Sequence, residues 1–119
     1  MEELKHDLLR VKYTRVLHED AEDMKYNAPH HFVIEAVADG HEVARVDFQE
    51  GPILECGLNG VSNEDLIHMV IARLNGFQNG PYACRENALA ITKFEEGLMW
   101  LKKRTDARVA RGVEGKSIV

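Results

Sequence analysis

Apolar positions along this chain change their period once. Phe32-Val-Ile-Glu-Ala-Val-Ala and Glu42-Val-Ala-Arg-Val-Asp-Phe flank Asp39-Gly40. Such runs on either side of Asp-Gly predict a β-hairpin closed by a two-residue primed turn, which takes positive φ at both centres. Upstream, Leu9 to Leu17 is rich in Val, Tyr and Thr, and Leu9, Val11 and Tyr13 share one side of a predicted strand. Residues 1–8 read as a polar, frayed start, and His18 to Pro29 as an acidic loop or short helical turn. Gly51-Pro52 breaks the last of these strands, and Ile53 to Cys56 supplies another short one. The result is a sheet of three or four antiparallel strands with one face against the core.

From Gly57 the spacing becomes helical. Asn59-Gly60 makes a turn, and Ser62-Asn63-Glu64-Asp65 sets a capping hydroxyl ahead of two acids. Leu66, Ile67, Val70, Ile71 and Leu74 then form one face of a helix that runs to near Phe77. Asn79-Gly80-Pro81 stops it. A second helix starts at Ala83 or Cys84 and meets no breaker until Arg111-Gly112. At ~1.5 Å per residue it is about 40 Å long, more than the shorter helix covers, so part of its surface should meet another subunit. The fold class is α+β: a small N-terminal antiparallel β-sheet followed by a C-terminal helical hairpin with one long helix. We expect a single domain over 1–119, with a β-rich part at 1–57, the hairpin at 58–112 and a tail at 113–119.

Composition narrows the class. In 119 residues, 45% are hydrophobic and 29% charged, which excludes wholesale disorder. The net charge of −5 argues against a protein that coats duplex nucleic acid. No apolar run approaches the ~18 residues of a membrane span, and the opening MEELKHDLLR lacks a signal-peptide core. A soluble, cytoplasmic protein is expected. Cys56 and Cys84 are too far apart for a zinc knuckle or redox pair. His30 and His31 point to opposite faces of any strand. No metal and no cofactor are expected.

Charge is unevenly spread. Residues 102–111, KKRTDARVAR, hold five basic groups against Asp106, a local +4 on a remainder of −9. Such a patch complements a helix C-terminus, and it also suits a compact anion. On the long helix, Asn87, Ile91, Phe94, Leu98, Leu101, Thr105 and Arg108 fall on one stripe, apolar in the middle and polar at both ends. The stripe is either a core face that runs out into solvent or the support of a site at its ends. Asn87 and Arg108 lie roughly 30 Å apart on one helix. Two copies packed antiparallel along the stripe would bring Asn87 of one near Arg104 and Arg108 of the other, twice per C2 dimer. Phe77 belongs to the Asn87 end. An aromatic face, an amide and two guanidiniums suit an adenine nucleotide with a diphosphate.

Catalytic groups are scarce. No phosphate-cradling glycine loop is present, and Ser62 and Ser117 have no triad context. Glu95 and Glu96 sit about 100° apart around the helix and do not form an acid/base pair. An enzyme degrading a cyclic nucleotide and a dimeric interaction protein remain the alternatives to simple capture.

Gly51-Pro52-Ile53, the run Gly60-Val61-Ser62-Asn63-Glu64-Asp65-Leu66, the turn Gly76-Phe77-Gln78-Asn79-Gly80-Pro81-Tyr82-Ala83-Cys84-Arg85-Glu86-Asn87 and the ending Lys103 to Gly115 together resemble the phage Thoeris anti-defence protein one family. That family's helical hairpin is shared with a phage anti-CBASS sponge family. The resemblance covers roughly Gly51 to Gly115. It implies a non-catalytic sponge that holds glycocyclic ADP-ribose intact and blocks Thoeris immunity in the infected bacterial host. The implied ligand residues are Phe77, stacking on adenine, with Asn87, Arg104 and Arg108. It also implies a homodimer or homohexamer and further sites for cyclic di- and trinucleotides. No motif before Pro29 matches.

Overall fold

The computed structural model describes all 119 residues. Four strands form one antiparallel sheet in sequential order: β1 (Glu2–Glu3), β2 (Thr14–His18), β3 (His31–Ala36) and β4 (Glu42–Asp47). Three helices follow: α1 (Ile53–Cys56), α2 (Asn63–Gln78) and α3 (Arg85–Ala110). This is the expected α+β class. Contacts group the chain into two compact units, Met1–Val61 and Ser62–Val119.

In the first unit, β2 and β3 are the inner strands, and Val33 on β3 is the buried residue of the sheet. Phe32 and Phe48 meet edge to face at 5.5 Å, and Arg15 pairs with Glu35 directly across the β2–β3 ladder. The strand predicted from Leu9 begins only at Thr14. Val11 and Tyr13 are exposed, so their alternation has no sheet face to bury against. The polar start instead donates the two-residue β1, paired with Leu17 and His18.

The Asp39-Gly40 hairpin is present, but its turn is longer than predicted. Residues 37–41 separate the strands, Gly40 alone takes positive φ, and its N–H bonds the Ala36 carbonyl at 2.8 Å. A register shift between Ile34 and Glu35 absorbs the difference. Ile53 to Cys56 is one helical turn and not a strand. Pro52 sits at its N-cap, and its carbonyl accepts the Cys56 N–H at 2.7 Å, closing the turn.

His31 ties three segments of this unit together. Its Nδ1 lies 2.8 Å from Asp47 and its Nε2 3.0 Å from Glu50 and 4.0 Å from Glu19. Hydrogen bonds donated to the Asp47 and Glu50 carboxylates favour the imidazolium and raise its pKa above the ordinary value. Burial of Glu19 opposes ionisation, but the N–H groups of His31 and His30 hold its carboxyl below the usual range. A raised histidine pKa gives stability that is full below the unfolded value and is lost as pH rises through the folded one. The Glu19 contribution is lost only as pH falls through its lowered value. Urea unfolding should therefore show a cost for His31→Gln at about pH 5.5, below the unfolded histidine value, that shrinks by about pH 8.5. An equal cost at both pH values would remove the imidazolium from this account.

The second unit is the hairpin and its tail. Ser62 caps α2 by accepting the Asp65 N–H at 3.1 Å, while Asp65 accepts the Ser62 N–H at 2.9 Å, a reciprocal capping box. Ile71 is buried on α2 and Val113 in the tail. The long helix ends in a Schellman arrangement: the Val113 N–H reaches the Arg108 carbonyl, and the N–H of Gly112 (φ +71°) reaches that of Val109. Both helices run as the sequence predicts, to within two residues at each end.

Candidate ligand-binding site

The turn between α2 and α3 is held by a side chain that the spacing did not single out. Gln78 grips Cys84 with both ends of its amide, Nε2 donating to the carbonyl at 3.0 Å and Oε1 accepting the N–H at 2.9 Å. This clasp closes the loop Asn79–Cys84 and fixes what surrounds it. Phe77, one residue earlier, is half-buried, and its ring meets Tyr82 at 6.2 Å and 75°. Asn87, one turn into α3, points its Nδ2 to the Tyr82 carbonyl at 3.5 Å, the limit of a hydrogen bond. Phe77 and Asn87 therefore gather around Tyr82 as a single aromatic and amide corner.

The two arginines lie elsewhere. Helix α3 is unbroken between Asn87 and Arg108, which places Arg104 roughly 26 Å and Arg108 roughly 31 Å further along its axis. Arg104 is exposed and makes no hydrogen bond or ion pair. Its neighbours are engaged: Lys102 pairs with Asp106 at 2.6 Å, and Lys103 sits 5.1 Å over the Trp100 ring. Arg108 is half-buried, and its Nη2 donates to the carbonyls of Val113 (3.0 Å) and Lys116 (2.9 Å). Part of the cationic cluster thus secures the helix C-terminus, as its composition allowed. The Nε and Nη1 donors of Arg108 make no protein hydrogen bond.

Burial along the stripe is uneven. Asn87, Ile91, Leu98, Leu101, Thr105 and Arg108 are half-buried within this one chain, and only Phe94 is exposed. The stripe is therefore partly covered within this one chain, and Leu98 and Thr105 on it still border an open groove. The exposed apolar residues of α3 are Leu89, Phe94, Met99, Trp100 and Val109. Met99 and Trp100 are about 70% exposed and line, with Glu96 and Lys103, a shallow groove of about 230 Å³. Leu98, Met99, Lys102 and Thr105 line a second, larger groove with Glu64 and His68 of α2. No helix is long and apolar enough to cross a membrane. Half-buried Asp20 and exposed Glu22 and Asp23 form one acidic cluster whose oxygens lie within 4.8 Å of one another.

The family model described as Acb2/Tad1, hairpin domain, matches residues 40–106, more than half of the chain. A protein named Thoeris anti-defense 1, from Bacillus phage SBSphiJ7, is similar at 49% identity over 138 aligned residues, with 97% of each chain covered. The chain belongs to the Acb2/Tad1 hairpin family. The matched span takes in β4, α2 and α3 as far as Asp106, with Phe77, Asn87 and Arg104. Arg108 and the Schellman cap follow just beyond it. The relative extends across the N-terminal sheet as well, so the likeness is not confined to the hairpin.

Proposed function

We propose that this protein is a phage anti-Thoeris sponge, which captures glycocyclic ADP-ribose and holds it without cleaving it. The observation that carries this reading is the 49% identity across 97% of the chain to a protein named Thoeris anti-defense 1. The geometry gives the reading its chemistry. Phe77 offers a stacking surface for adenine, and Asn87 an amide for a base edge or ribose hydroxyl. Arg104 offers a guanidinium with no protein partner for the diphosphate. Arg108 adds its uncommitted Nε and Nη1. The two groups are too far apart for one small guest within a chain, so each pocket is completed by a second copy. A homodimer supplies two such pockets, and a homohexamer six.

Magnitudes favour capture. A charge-assisted hydrogen bond is worth about 1.5–3 kcal/mol, so two guanidiniums and a stacked ring contribute several kcal/mol before ordering costs, which a preformed pocket keeps small. A sponge uses that energy in the ground state, whereas an enzyme would direct it to a transition state and need proton-transfer groups beside the guest. Between Phe77 and Asn87 the turn carries the exposed Tyr82, Cys84 and Glu86, and no hydrogen bond joins their side chains into an acid/base pair. Cyclic di- and trinucleotides belong in the same panel as further guests. The working location is the cytoplasm of the infected bacterium, where the signal would be made.

Calorimetry with glycocyclic ADP-ribose should give about one guest per chain. Denaturing the complex should release the guest unchanged by mass spectrometry. A hydrolysed guest would replace the sponge with an enzyme. Unchanged affinity in Arg104→Ala would reduce the arginines to a protein-docking patch.

A further inference from the structure

Phe77 has a neighbour whose charge nothing else uses. Arg73 stands one helical turn before it on α2, and its guanidinium carbon lies 4.9 Å from the centroid of the Phe77 ring. At that range a guanidinium over a ring is held by the ring quadrupole. Helical neighbours at three and four residues are the partners a surface arginine ordinarily pairs with. For Arg73 these are Met69, Val70, Gly76 and Phe77, and none is a carboxylate. Arg73 makes no hydrogen bond or ion pair, so all five of its donors are free of protein acceptors.

We propose that Arg73 is a positioning residue of the nucleotide site, back-stacked on Phe77 so that a purine is received by the opposite face of the ring. The proposal rests on the capture reading of the same corner. Its logic is preorganisation. A phenylalanine near a helix end, with its neighbour Tyr82 exposed, would otherwise swing among rotamers and lose entropy when a base docks. The Arg73 guanidinium on one face and the Tyr82 ring at 75° fix the plane before the guest arrives. The cation also draws ring electron density toward itself, which favours an electron-rich purine on the far side. The guest is thus the third layer of a sandwich of arginine, phenylalanine and base.

A double-mutant cycle on the full chain separates this from a general effect of positive charge. Arg73→Met keeps the aliphatic stem and removes the cation. It should weaken glycocyclic ADP-ribose binding by roughly fivefold to tenfold in the parent, as loss of a cation–π pair does. In a Phe77→Leu background the same change should cost less than about twofold, because the cycle isolates the pair. Arg73→Lys should restore part of the loss. Equal losses in both backgrounds would overturn the proposal, as would no loss in the parent.

A second measurement needs no guest. The Arg73 Hδ protons should be shifted upfield by the Phe77 ring current, and Phe77→Leu should abolish the shift. If the parent fails to bind glycocyclic ADP-ribose while the shift is present, the capture reading falls and the contact stands as a surface pair only. If the shift is absent in the free protein, the positioning role is wrong whatever the affinity.

Discussion

Two proteins that each bind glycocyclic ADP-ribose weakly are expected to yield tight sites when mixed. One carries Phe77→Ala and Asn87→Ala, and the other carries Arg104→Ala. The first loses a stacking face and an amide. The second loses a charge-assisted contact to the diphosphate and should weaken roughly tenfold to a hundredfold. If a pocket joins the hairpin turn of one copy to the C-terminal end of α3 of another, a mixed dimer holds one doubly damaged pocket and one intact pocket. Random exchange between equal amounts should then restore about a quarter of the wild-type sites at wild-type affinity. Calorimetry reads both the site fraction and its affinity.

The geometry makes this a demanding test. Between Asn87 and Arg104 the helix is continuous, and the ~26 Å rise is fixed by helical geometry whatever the side chains do. No rotamer change closes that gap within a chain. Arg104 is the informative arginine because it has no partner in the chain, so its loss leaves the fold untouched. Arg108 would confuse the result, since its Nη2 also secures the Val113 and Lys116 carbonyls. Mixtures that gain no tight sites would mean that Arg104 of one copy and Phe77 of another do not share a pocket.

Much of the hairpin was legible because its signals are local. The Ser62 to Asp65 capping box, the 3.6-residue period of α2 and the Asn79-Gly80-Pro81 stop all act within a few residues, and each holds. The sheet was less legible. A two-residue strand made of Glu2 and Glu3 has no hydrophobic signature and exists only because β2 offers an edge. The Leu9 to Tyr13 alternation was genuine, but alternation locates a strand only where a partner strand reaches it. Ile53 to Cys56 carries strand-like residues and still coils, because the Pro52 backbone sets the first turn. At the candidate site, Phe77 and Asn87 could be read as neighbours across a short turn. The Gln78 clasp and the carbonyl grip of Arg108 could not, since both depend on backbone atoms five to eight residues away.

Gly60→Ala is expected to cause the largest loss of stability among single-methyl additions. The pair Asn59-Gly60 reads in the sequence as a turn, where other small residues would serve. The structure shows a harsher requirement. After β4, Phe48 and Val61 form a parallel bridge, with the Gln49 N–H on the Val61 carbonyl at 2.8 Å and the Val61 N–H on the Asp47 carbonyl at 2.9 Å. Gly60 is pressed against that bridge. A Cβ built there would stand 2.5 Å from the Phe48 carbonyl oxygen and 2.7 Å from that of Asp47, and nearest of all to the Phe48 carbonyl carbon. All three are backbone atoms of one short stretch, so no side chain can swing away to make room. Overpacking a closed site costs typically 1–3 kcal/mol, and a rigid backbone wall places this site at about the upper end or above. The Phe48 backbone leads straight into residues 49–59, which the Gln49 and Asn59 side chains knit to the backbone, Asn59 Nδ2 donating to the Glu50 carbonyl at 2.8 Å. Thermal unfolding should show a drop in Tm of at least about 8 °C for a unit of this size. Gly76→Ala, where an added Cβ meets nothing within 4 Å, should stay near the parent. A Gly60→Ala protein as stable as the Gly76→Ala control would mean that the bridge between Phe48 and Val61 opens at little cost and does not hold this unit together.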